Sequence, residues 1–253
     1  MEYILVDKKR IRSFYKSERG FNSMLKKYEY LFPAKPSIEL AGIVADLIGD
    51  GNLQGEPKWR FDFVSKDKNE LNRFAKQIFE LYKIKGKIRP CTTNKFGETF
   101  LYGVNCKPLA RILYLSGVPY GAKVLTEFNI PSWILEDKEY FRSFINRLFY
   151  CEGTVDYSNS PFIEIKMYKA DYLIANGVDF FETIKKYLFL YFGIISNNVY
   201  VNGKSFRKDG IITLGVRLKI KRKKEVLRFV KEIGFPKKEV DRNKLMNIIN
   251  RNF

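Results

Sequence analysis

Two stretches of the sequence end in an acid followed by glycine. The first, LAGIVADLIGDG, ends in Asp50-Gly51, and the second, FINRLFYCEG, ends in Glu152-Gly153. Both stretches are mostly apolar and are predicted to be helices, so each acid lies at a helix C-terminus, where the helix dipole is already negative. If the two helices pack side by side, their carboxylates meet and repel each other. Divalent cations relieve such repulsion, so the pair predicts a metal site.

The residues around the acids predict how the two helices meet. Ala41, Ala45 and Gly49 recur at every fourth position and form a stripe that lets another helix backbone approach closely. The second helix has Arg147 where the first has Ala45, so close packing there requires that the arginine side chain extend out of the contact. The glycine after each acid is interpreted as the residue that turns the chain out of its helix.

The composition excludes several kinds of chemistry. The 253 residues include no histidine, which excludes serine–histidine and cysteine–histidine triads and histidine metal ligands. Cys91, Cys106 and Cys151 are too scattered for a structural zinc site, and their odd number argues against a disulfide framework. We therefore expect a reducing, cytoplasmic compartment, with a prokaryotic source favoured. The N-terminal residues do not form a signal peptide, and no apolar run approaches the length of a membrane span.

The charge balance predicts a polyanionic partner. There are 46 Lys and Arg against 28 Asp and Glu, a net charge of +18. A thermophilic surface rich in charge is the alternative interpretation, but such surfaces pair their charges and leave no excess of this size. The excess favours nucleic acid.

The order of predicted elements recurs in the two halves. Phe61 and Phe63 alternate with polar residues and predict a half-buried strand after the first acid. Ile163 and Ile165 do the same after the second acid, at the same offset of 102 residues that separates Asp50 from Glu152. The other predicted elements are helices near 21–32, 37–49 (with Ser37 as its N-cap), 68–82, 108–115, 138–152 and 170–192, and a last one that ends at the Ile-Gly-Phe-Pro sequence 233–236. Strands are predicted near 100–105 and 215–221, and in the second of these Val216, Leu218 and Ile220 alternate with Arg217, Lys219 and Lys221. Gly117-Val118-Pro119 in the first half matches Gly234-Phe235-Pro236 in the second, at an offset of 117.

These elements predict an α+β protein built from a duplicated αββαββα unit. The predicted division is a basic N-terminal extension (1–37), a first half (38–125), a linker (126–137) and a second half (138–253). The extension has two interpretations, a DNA-contacting arm or a helix packed on the outside of the fold.

The two motifs and the repeat resemble the LAGLIDADG homing endonuclease family in its single-chain, two-motif form. The resemblance covers residues 38–253 and includes VSKDKNEL after the second strand and GVPYGAK after the closing helix. It implies a pseudo-two-fold fold with saddle-shaped antiparallel sheets, helices on the outer face, and a concave face in the DNA major groove. It also implies a monomeric hydrolase that uses Mg²⁺ or Mn²⁺ to cut both strands of a specific double-stranded DNA site.

The resemblance implies roles for particular residues. Asp50 and Glu152 correspond to the metal-binding catalytic acids, and the backbone carbonyls of Gly49 and Cys151 are further metal ligands. Lys66 and Lys219 match best the basic residues that the family places near the scissile phosphates. The implied DNA-binding residues are Asn52, Gln54, Arg60, Asp62, Lys66, Thr154, Asp156, Glu164, Lys166, Tyr168, Arg217, Lys219 and Lys221.

Two other functions remain open on the same fold. The first is an RNA-binding intron maturase, with intron RNA as the partner and the acids kept as relics. The second is a DNA-binding regulator that has lost cleavage, which the presence of both acids and both lysines disfavours. Both alternatives need a basic groove.

Overall fold

The order helix, strand, strand, helix, strand, strand, helix is present twice, as predicted. A computed structural model describes residues 3–91, 98–158, 160–235 and 239–250. The chain divides into two units, Met1–Gly121 and Ala122–Phe253. The boundary between them lies a few residues before the predicted linker, 126–137. None of the helices in these described ranges is long and apolar enough to cross a membrane.

The first unit contains the first copy of the repeat, preceded by short helices. Its elements are α1 (Lys8–Arg12), α2 (Glu18–Tyr28), α3 (Ile38–Ile48), β1 (Gly51–Gln54), β2 (Arg60–Ser65), α4 (Lys68–Tyr82), β3 (Lys87–Pro90), β4 (Phe100–Val104) and α5 (Lys107–Leu115). The four strands form one antiparallel sheet in the order β1-β2-β4-β3.

The second unit repeats this order with longer central strands. Its elements are α6 (Ser132–Leu135), α7 (Lys138–Glu152), β5 (Gly153–Asp156), β6 (Phe162–Ala170), α8 (Ile174–Phe192), β7 (Tyr200–Phe206), β8 (Ile212–Ile220), α9 (Lys223–Glu232) and α10 (Glu239–Asn250). Its antiparallel sheet has the order β5-β6-β8-β7, which is equivalent to the order in the first unit.

Strand register confirms the duplication residue by residue. Gly51 pairs with Phe63 in the first sheet, and Gly153 pairs with Ile165 in the second, at the predicted offset of 102 residues. The first hairpin of each unit therefore has the same register. In both, the acid-bearing helix leads directly into the first strand.

The core of the first unit lies between its sheet and α4. The Phe63 and Phe74 rings stack with their centroids 4.7 Å apart, and Phe61 meets Phe74 edge-on at 6.5 Å. The predicted alternation is thus confirmed on β2. Trp59 lies before the strand, with a positive φ of 40°, and its ring packs on Phe14 at 5.3 Å.

The N-terminal segment is packed on the first unit over its described residues. The backbone of Val6 bridges to Ala34, and Ile11 is fully buried. The buried Arg111 guanidinium of α5 lies 5.4 Å from the Phe14 ring and 4.6 Å from the Tyr15 ring. Cation–π contacts of this kind stabilise the packed arrangement. The described residues therefore form the packed helices that were one of the two interpretations of this segment.

The second unit departs from the prediction in its element boundaries. Strand β6 continues to Ala170, and a 3₁₀ turn precedes α8, so this helix begins at Ile174 rather than near 170. The polar segment 197–210 contains an exposed strand, β7. Helix α10 follows the repeat and was not predicted. The predicted match between Pro119 and Pro236 falls outside the described residues at Pro236.

Candidate functional site

The first acid follows a helix that is buried on every side. Ser37 caps α3 as predicted, because its hydroxyl accepts a hydrogen bond from the Leu40 amide at 3.1 Å. All residues from 40 to 48 are buried, together with the C-cap Gly49. Asp50 lies two residues beyond the last helical residue and is exposed. A rigid, buried helix thus ends in a carboxylate that solvent can reach.

The second acid is the last residue of its helix. Helix α7 is capped by Asp137, whose carboxylate accepts hydrogen bonds from the amides of Glu139 at 2.7 Å and Tyr140 at 3.0 Å. Glu152 closes the helix and is half-buried. Its extra methylene and its position inside the helix distinguish it from Asp50, although the two acids are equivalent in the repeat.

The glycine after each acid is required by space and not by an unusual turn. Gly153 is the C-cap at which the chain leaves α7, as predicted, but its φ of −88° and ψ of 145° are values that any residue can adopt. A Cβ on Gly153 would lie 2.3 Å from the Phe149 carbonyl oxygen, and a Cβ on Gly51 would lie 2.5 Å from the Leu47 Cα. Each strand therefore starts directly against the last turn of its helix, which fixes the acid between them.

The small-residue stripe of α3 is buried, and so is Arg147, which stands in the second helix where the first has Ala45. Ala41 and Ala45 have no exposed surface. Arg147 keeps only 8% exposure, and its guanidinium lies 4.5 Å from the Tyr150 ring. The arginine side chain therefore does not extend into solvent but stacks on an aromatic ring one turn away.

The donor atoms near the acids suit a hard divalent cation. The candidate ligands are carboxylate oxygens and the backbone carbonyls of Gly49 and Cys151, and Mg²⁺ prefers oxygen ligands. Within the described ranges, no group of three or more Asp, Glu, Cys or His residues is arranged to hold a metal by itself. Magnesium is commonly bound by one or two carboxylates together with substrate phosphates. The residues therefore fit a cation that a phosphate helps to hold.

The polar face of the first sheet carries the predicted groove residues. Arg60 donates a hydrogen bond to the Gln54 amide oxygen at 2.9 Å across the hairpin. Asp62 pairs with Asn52 in the register and is 9% exposed, and burial raises the pKa of its carboxyl, against the effect of Arg60 and Arg89. Lys66 is exposed and lies one residue beyond the end of β2.

The polar face of the second sheet is built around Glu164. This residue lies opposite Lys219 in the register, and its carboxylate is 3.2 Å from both Lys219 Nζ and Arg217 Nη1. The Tyr200 hydroxyl donates a hydrogen bond to the same carboxylate at 2.9 Å. The hydrogen bond with Tyr200, and then the contact with Glu164, raise the pKa of Lys219. Lys219 therefore remains a cation at neutral pH and is not suited to act as a base.

The remaining predicted residues of the second unit lie on its strands or at their ends. The predicted alternation on β8 is confirmed, because Val216, Leu218 and Ile220 are buried and Arg217 and Lys219 lie between them. The other predicted residues that are exposed or half-buried are Thr154, Asp156, Lys166, Tyr168 and Lys221. Hydrogen bonds from Ser158 lower the pKa of the Asp156 carboxyl.

The register also locates the difference between the two sheets. Gly103 of β4 lies opposite Asp62, in the place that Lys219 occupies opposite Glu164. The register therefore makes Gly103 and Lys219 equivalent positions. A Cβ on Gly103 would lie 2.7 Å from the Asp62 Oδ1, so a side chain there requires Asp62 to move.

Sequence reasoning missed two residues of these polar faces, Arg89 and Tyr200. Arg89 lies 3.9 Å from Asp62, and Tyr200 lines a cavity of about 380 Å³ with Asn197, Asn198, Lys219 and Lys221. Both residues are on edge strands in which no residue is buried. In β7, Asn202-Gly203 is typical of a turn, but the strand accommodates it with a register shift between Val201 and Lys204.

Comparison of sequences gives one distant relative. No family model matches the chain. A protein of Methanocaldococcus jannaschii described as replication factor C small subunit is 30% identical over 165 residues, which is 59% of this chain and 9% of that protein. The chain therefore spans about a tenth of the length of the curated relative that it matches.

Comparison of structures confirms the fold. The homing endonuclease I-WcaI, solved bound to its DNA recognition sequence, matches with a TM-score of 0.53 and 14% identity, covering 95% of this chain and 98% of that one. The full-length DUF199/WhiA protein from Thermatoga maritima matches with a TM-score of 0.52 and 16% identity, covering 90% of this chain and 65% of that one. The structure neighbours thus include a LAGLIDADG homing endonuclease, and two four-stranded antiparallel sheets with helices match its fold.

Proposed function

We propose that this chain, which has the homing-endonuclease-like fold, is a site-specific double-stranded DNA endonuclease that depends on Mg²⁺ or Mn²⁺. The observation that carries the proposal is the repeated arrangement of a buried helix, an acid, a glycine without room for a side chain, and a hairpin with a polar face. This arrangement occurs once in each unit, at an offset of 102 residues. One copy serves each DNA strand, so a single chain is sufficient for both cuts.

Asp50 and Glu152 are the proposed ligands of the catalytic metal ions. A divalent cation bound there supplies an activated water and stabilises the leaving oxygen of the phosphodiester. The two carboxylates would hold the cation, together with the backbone carbonyls of Gly49 and Cys151. The buried helix α3 and the capped helix α7 keep these donors in place before DNA arrives.

Lys66 and Lys219 act on the phosphates as cations. The raised pKa of Lys219 keeps its ammonium charged, so it stabilises the negative charge that develops on the phosphate. Lys66 is exposed in the loop that follows β2, where it is free to reach a backbone phosphate by side-chain rotation. The two lysines are not at equivalent positions, so the two halves of the site treat their strands differently.

The polar sheet faces are the proposed DNA contacts. The net charge of +18 favours binding to the phosphate backbone, and a two-stranded ribbon can read base edges in the major groove. Gln54 and Arg60 support this proposal in the first unit, because their mutual hydrogen bond leaves further donors available for bases.

The proposal is tested with an assay for cleavage of duplex DNA. The purified chain is incubated with a library of DNA duplexes and Mg²⁺, and the cut ends are sequenced. We expect ends from both strands within one defined sequence. The matched control is the double variant Asp50→Asn, Glu152→Gln, which should produce no ends. Equal cutting by this variant, or ends without any common sequence, would contradict the proposal.

A further inference from the structure

The carboxylate of Glu164 is enclosed by three groups on two neighbouring strands. Its Oε1 accepts a hydrogen bond from Arg217 Nη1 at 3.2 Å, and its Oε2 accepts one from the Tyr200 hydroxyl at 2.9 Å. Lys219 Nζ lies 3.2 Å from the same Oε2. The Glu164 side chain is left with 8% exposure. A carboxylate buried to this extent requires such partners, because an unpaired buried charge is costly.

Glu164 lies on the polar face of its sheet and not in the core. Its neighbours Ile163 and Ile165 are buried on the opposite face. A negative charge on this face repels phosphate, so the carboxylate does not gain by contact with a nucleic acid backbone. The role of Glu164 must therefore come from the cations that its carboxylate binds. With one negative charge and two positive charges, the cluster of Glu164, Arg217 and Lys219 stays net positive.

We propose that Glu164 is a positioning residue that holds Lys219 and Arg217 in a fixed arrangement for a DNA phosphate. The inference rests on the proposed function. It adds how Lys219, the proposed catalytic lysine of the second unit, is positioned before DNA binds. Lysine and arginine lose much rotamer freedom when they bind a ligand, and a pre-held side chain loses less. The Phe162 and Tyr200 rings flank the Lys219 ammonium at 4.4 Å and 5.6 Å and restrict it further.

The first unit shows that this arrangement is not a general property of the sheet. There the equivalent acid, Asp62, lies opposite Gly103 and not opposite a lysine. Asp62 Oδ1 lies 3.9 Å from Arg89 Nη2, on β3 at the edge of the same sheet. Both units therefore have an acid at this place, Asp62 in the first and Glu164 in the second. Glu164 has two cations at 3.2 Å, Arg217 and Lys219, whereas the Arg89 guanidinium lies farther from Asp62.

A double-mutant cycle tests whether Glu164 acts through Lys219. The variants are Glu164→Gln, Lys219→Met and the two combined, with cleavage rate and affinity measured on one cognate duplex. We expect Glu164→Gln to slow cutting at least tenfold while binding changes little, because removal of a negative charge offsets the lost arrangement of the two cations. The double variant should cut no more slowly than Lys219→Met alone, because residues that act as a unit are not additive. A loss equal to the product of the two single losses would overturn the proposal.

The control variant is Asp209→Asn. Its carboxylate is in an ion pair with Arg207 at 2.9 Å, beyond the end of β7. The substitution removes the charge of an ion-paired acid in the same unit and leaves the cluster of Glu164, Arg217 and Lys219 unchanged. Cutting by this variant at the wild-type rate, beside slow cutting by Glu164→Gln, supports a specific role. An equal loss in both variants would overturn it.

Titration of the Lys219 ammonium by NMR, without DNA, gives a readout that does not depend on cutting. Glu164→Gln should lower the pKa of Lys219, and Tyr200→Phe should lower it as well, which provides a second variant if the first does not fold. An unchanged pKa of Lys219 in the folded variants would overturn the positioning role. If the wild-type chain cuts no duplex, the proposed function fails, and this titration still decides whether Glu164 and Tyr200 hold the Lys219 ammonium.

Discussion

Gly103 and Lys219 occupy the same place in the two sheets of one chain. Each lies opposite an acid on the neighbouring strand, Asp62 in the first unit and Glu164 in the second. Replacement of a lysine by glycine at an equivalent position removes a full positive charge and a long side chain. The two proposed half-sites are therefore chemically different, and Lys219 has no equivalent on β4.

Lys219→Met is expected to slow cleavage far more than it weakens binding. One cation among many changes affinity little, whereas a charge placed near the reacting phosphate lowers the barrier for cutting. The measurement is a single-turnover rate beside a binding constant on the same duplex. Lys76→Met is the control, because Lys76 is largely exposed on α4. If rate and affinity fall by the same factor, Lys219 only anchors a phosphate.

Asp50→Asn and Glu152→Gln are expected to abolish or cripple cleavage and to leave metal-free binding equal or tighter. Carboxylate and phosphate repel without a cation between them. At an effective dielectric constant near 20, two unit charges about 5 Å apart interact by roughly 3 kcal/mol before screening. Binding is measured in EDTA and cleavage in Mg²⁺. Full cutting by both single variants would show that the acids serve only as helix ends.

Binding to duplex DNA is expected to weaken steeply with salt. The net charge of +18 implies that several phosphates are neutralised and that their condensed counterions are released. Each such contact adds roughly 0.9 to the slope of log affinity against log salt. The slope is obtained from binding constants across a range of salt concentrations. A slope near zero contradicts backbone contact.

Gly153→Ala is expected to destabilise the fold by about 1–3 kcal/mol, as overpacking commonly does. The added methyl group would meet the Phe149 carbonyl oxygen at 2.3 Å, so the helix end or the strand must shift. Gly20→Ala is the control, because a Cβ there meets the Ser17 hydroxyl at 3.2 Å. Urea unfolding of both variants gives the comparison. Equal stability of Gly153→Ala and the wild type would show that the helix end yields without cost.

Lys169 is expected to make stability rise between about pH 8 and pH 10. Its ammonium is buried, donates to the carbonyls of Lys123 at 3.1 Å and Thr126 at 2.6 Å, and lies 3.7 Å from the Phe128 ring. Desolvation lowers the pKa of Lys169 from 10.5 to about 8. In this window the unfolded chain binds more protons than the folded chain, so the free energy of unfolding increases with pH.

The measurement for Lys169 is the difference between the wild type and Lys169→Met across this pH range. The rise due to Lys169 should be missing in the variant. The comparison with the variant is necessary because Tyr82, whose pKa is raised by burial, opposes the rise at higher pH. Parallel stability curves for the two proteins would show that Lys169 does not titrate with the expected shift.

The sequence predicted the repeat because its signals are local and periodic. The alternation around Phe61 and Ile163, the cap at Ser37 and the offset between the two acids all depend on residues close in the chain. Hence the order of elements and the first hairpins are confirmed. The placement of Lys219 on the polar face of β8 followed from the same kind of alternation.

The edge strands and the pairing around Glu164 were not predictable in the same way. Strands β3 and β7 bury few residues, so they lack the apolar period that identifies a strand. Glu164 looked like a groove-facing acid, because alternation gives the face of a residue but not its partners. Its burial arises from Tyr200 and Arg217, which are distant in the chain. The functional roles of Asp50, Glu152, Lys66 and Lys219 stay predictions.

The hairpins β1–β2 and β5–β6 have the same register, so one could replace the other. Residues 51–54 pair with 60–63 in the same register in which 153–156 pair with 162–165, and each hairpin starts from a glycine against a helix. Each of these paired positions would therefore keep its face if one segment replaced the other. Grafting one hairpin into the place of the other should therefore preserve the register. It would change the side chains on the polar face and would also exchange the buried Phe61 and Phe63 for Ile163 and Ile165. A chain of this kind can acquire a new recognition surface by exchange of whole hairpins, without redesign of the helices that carry the acids.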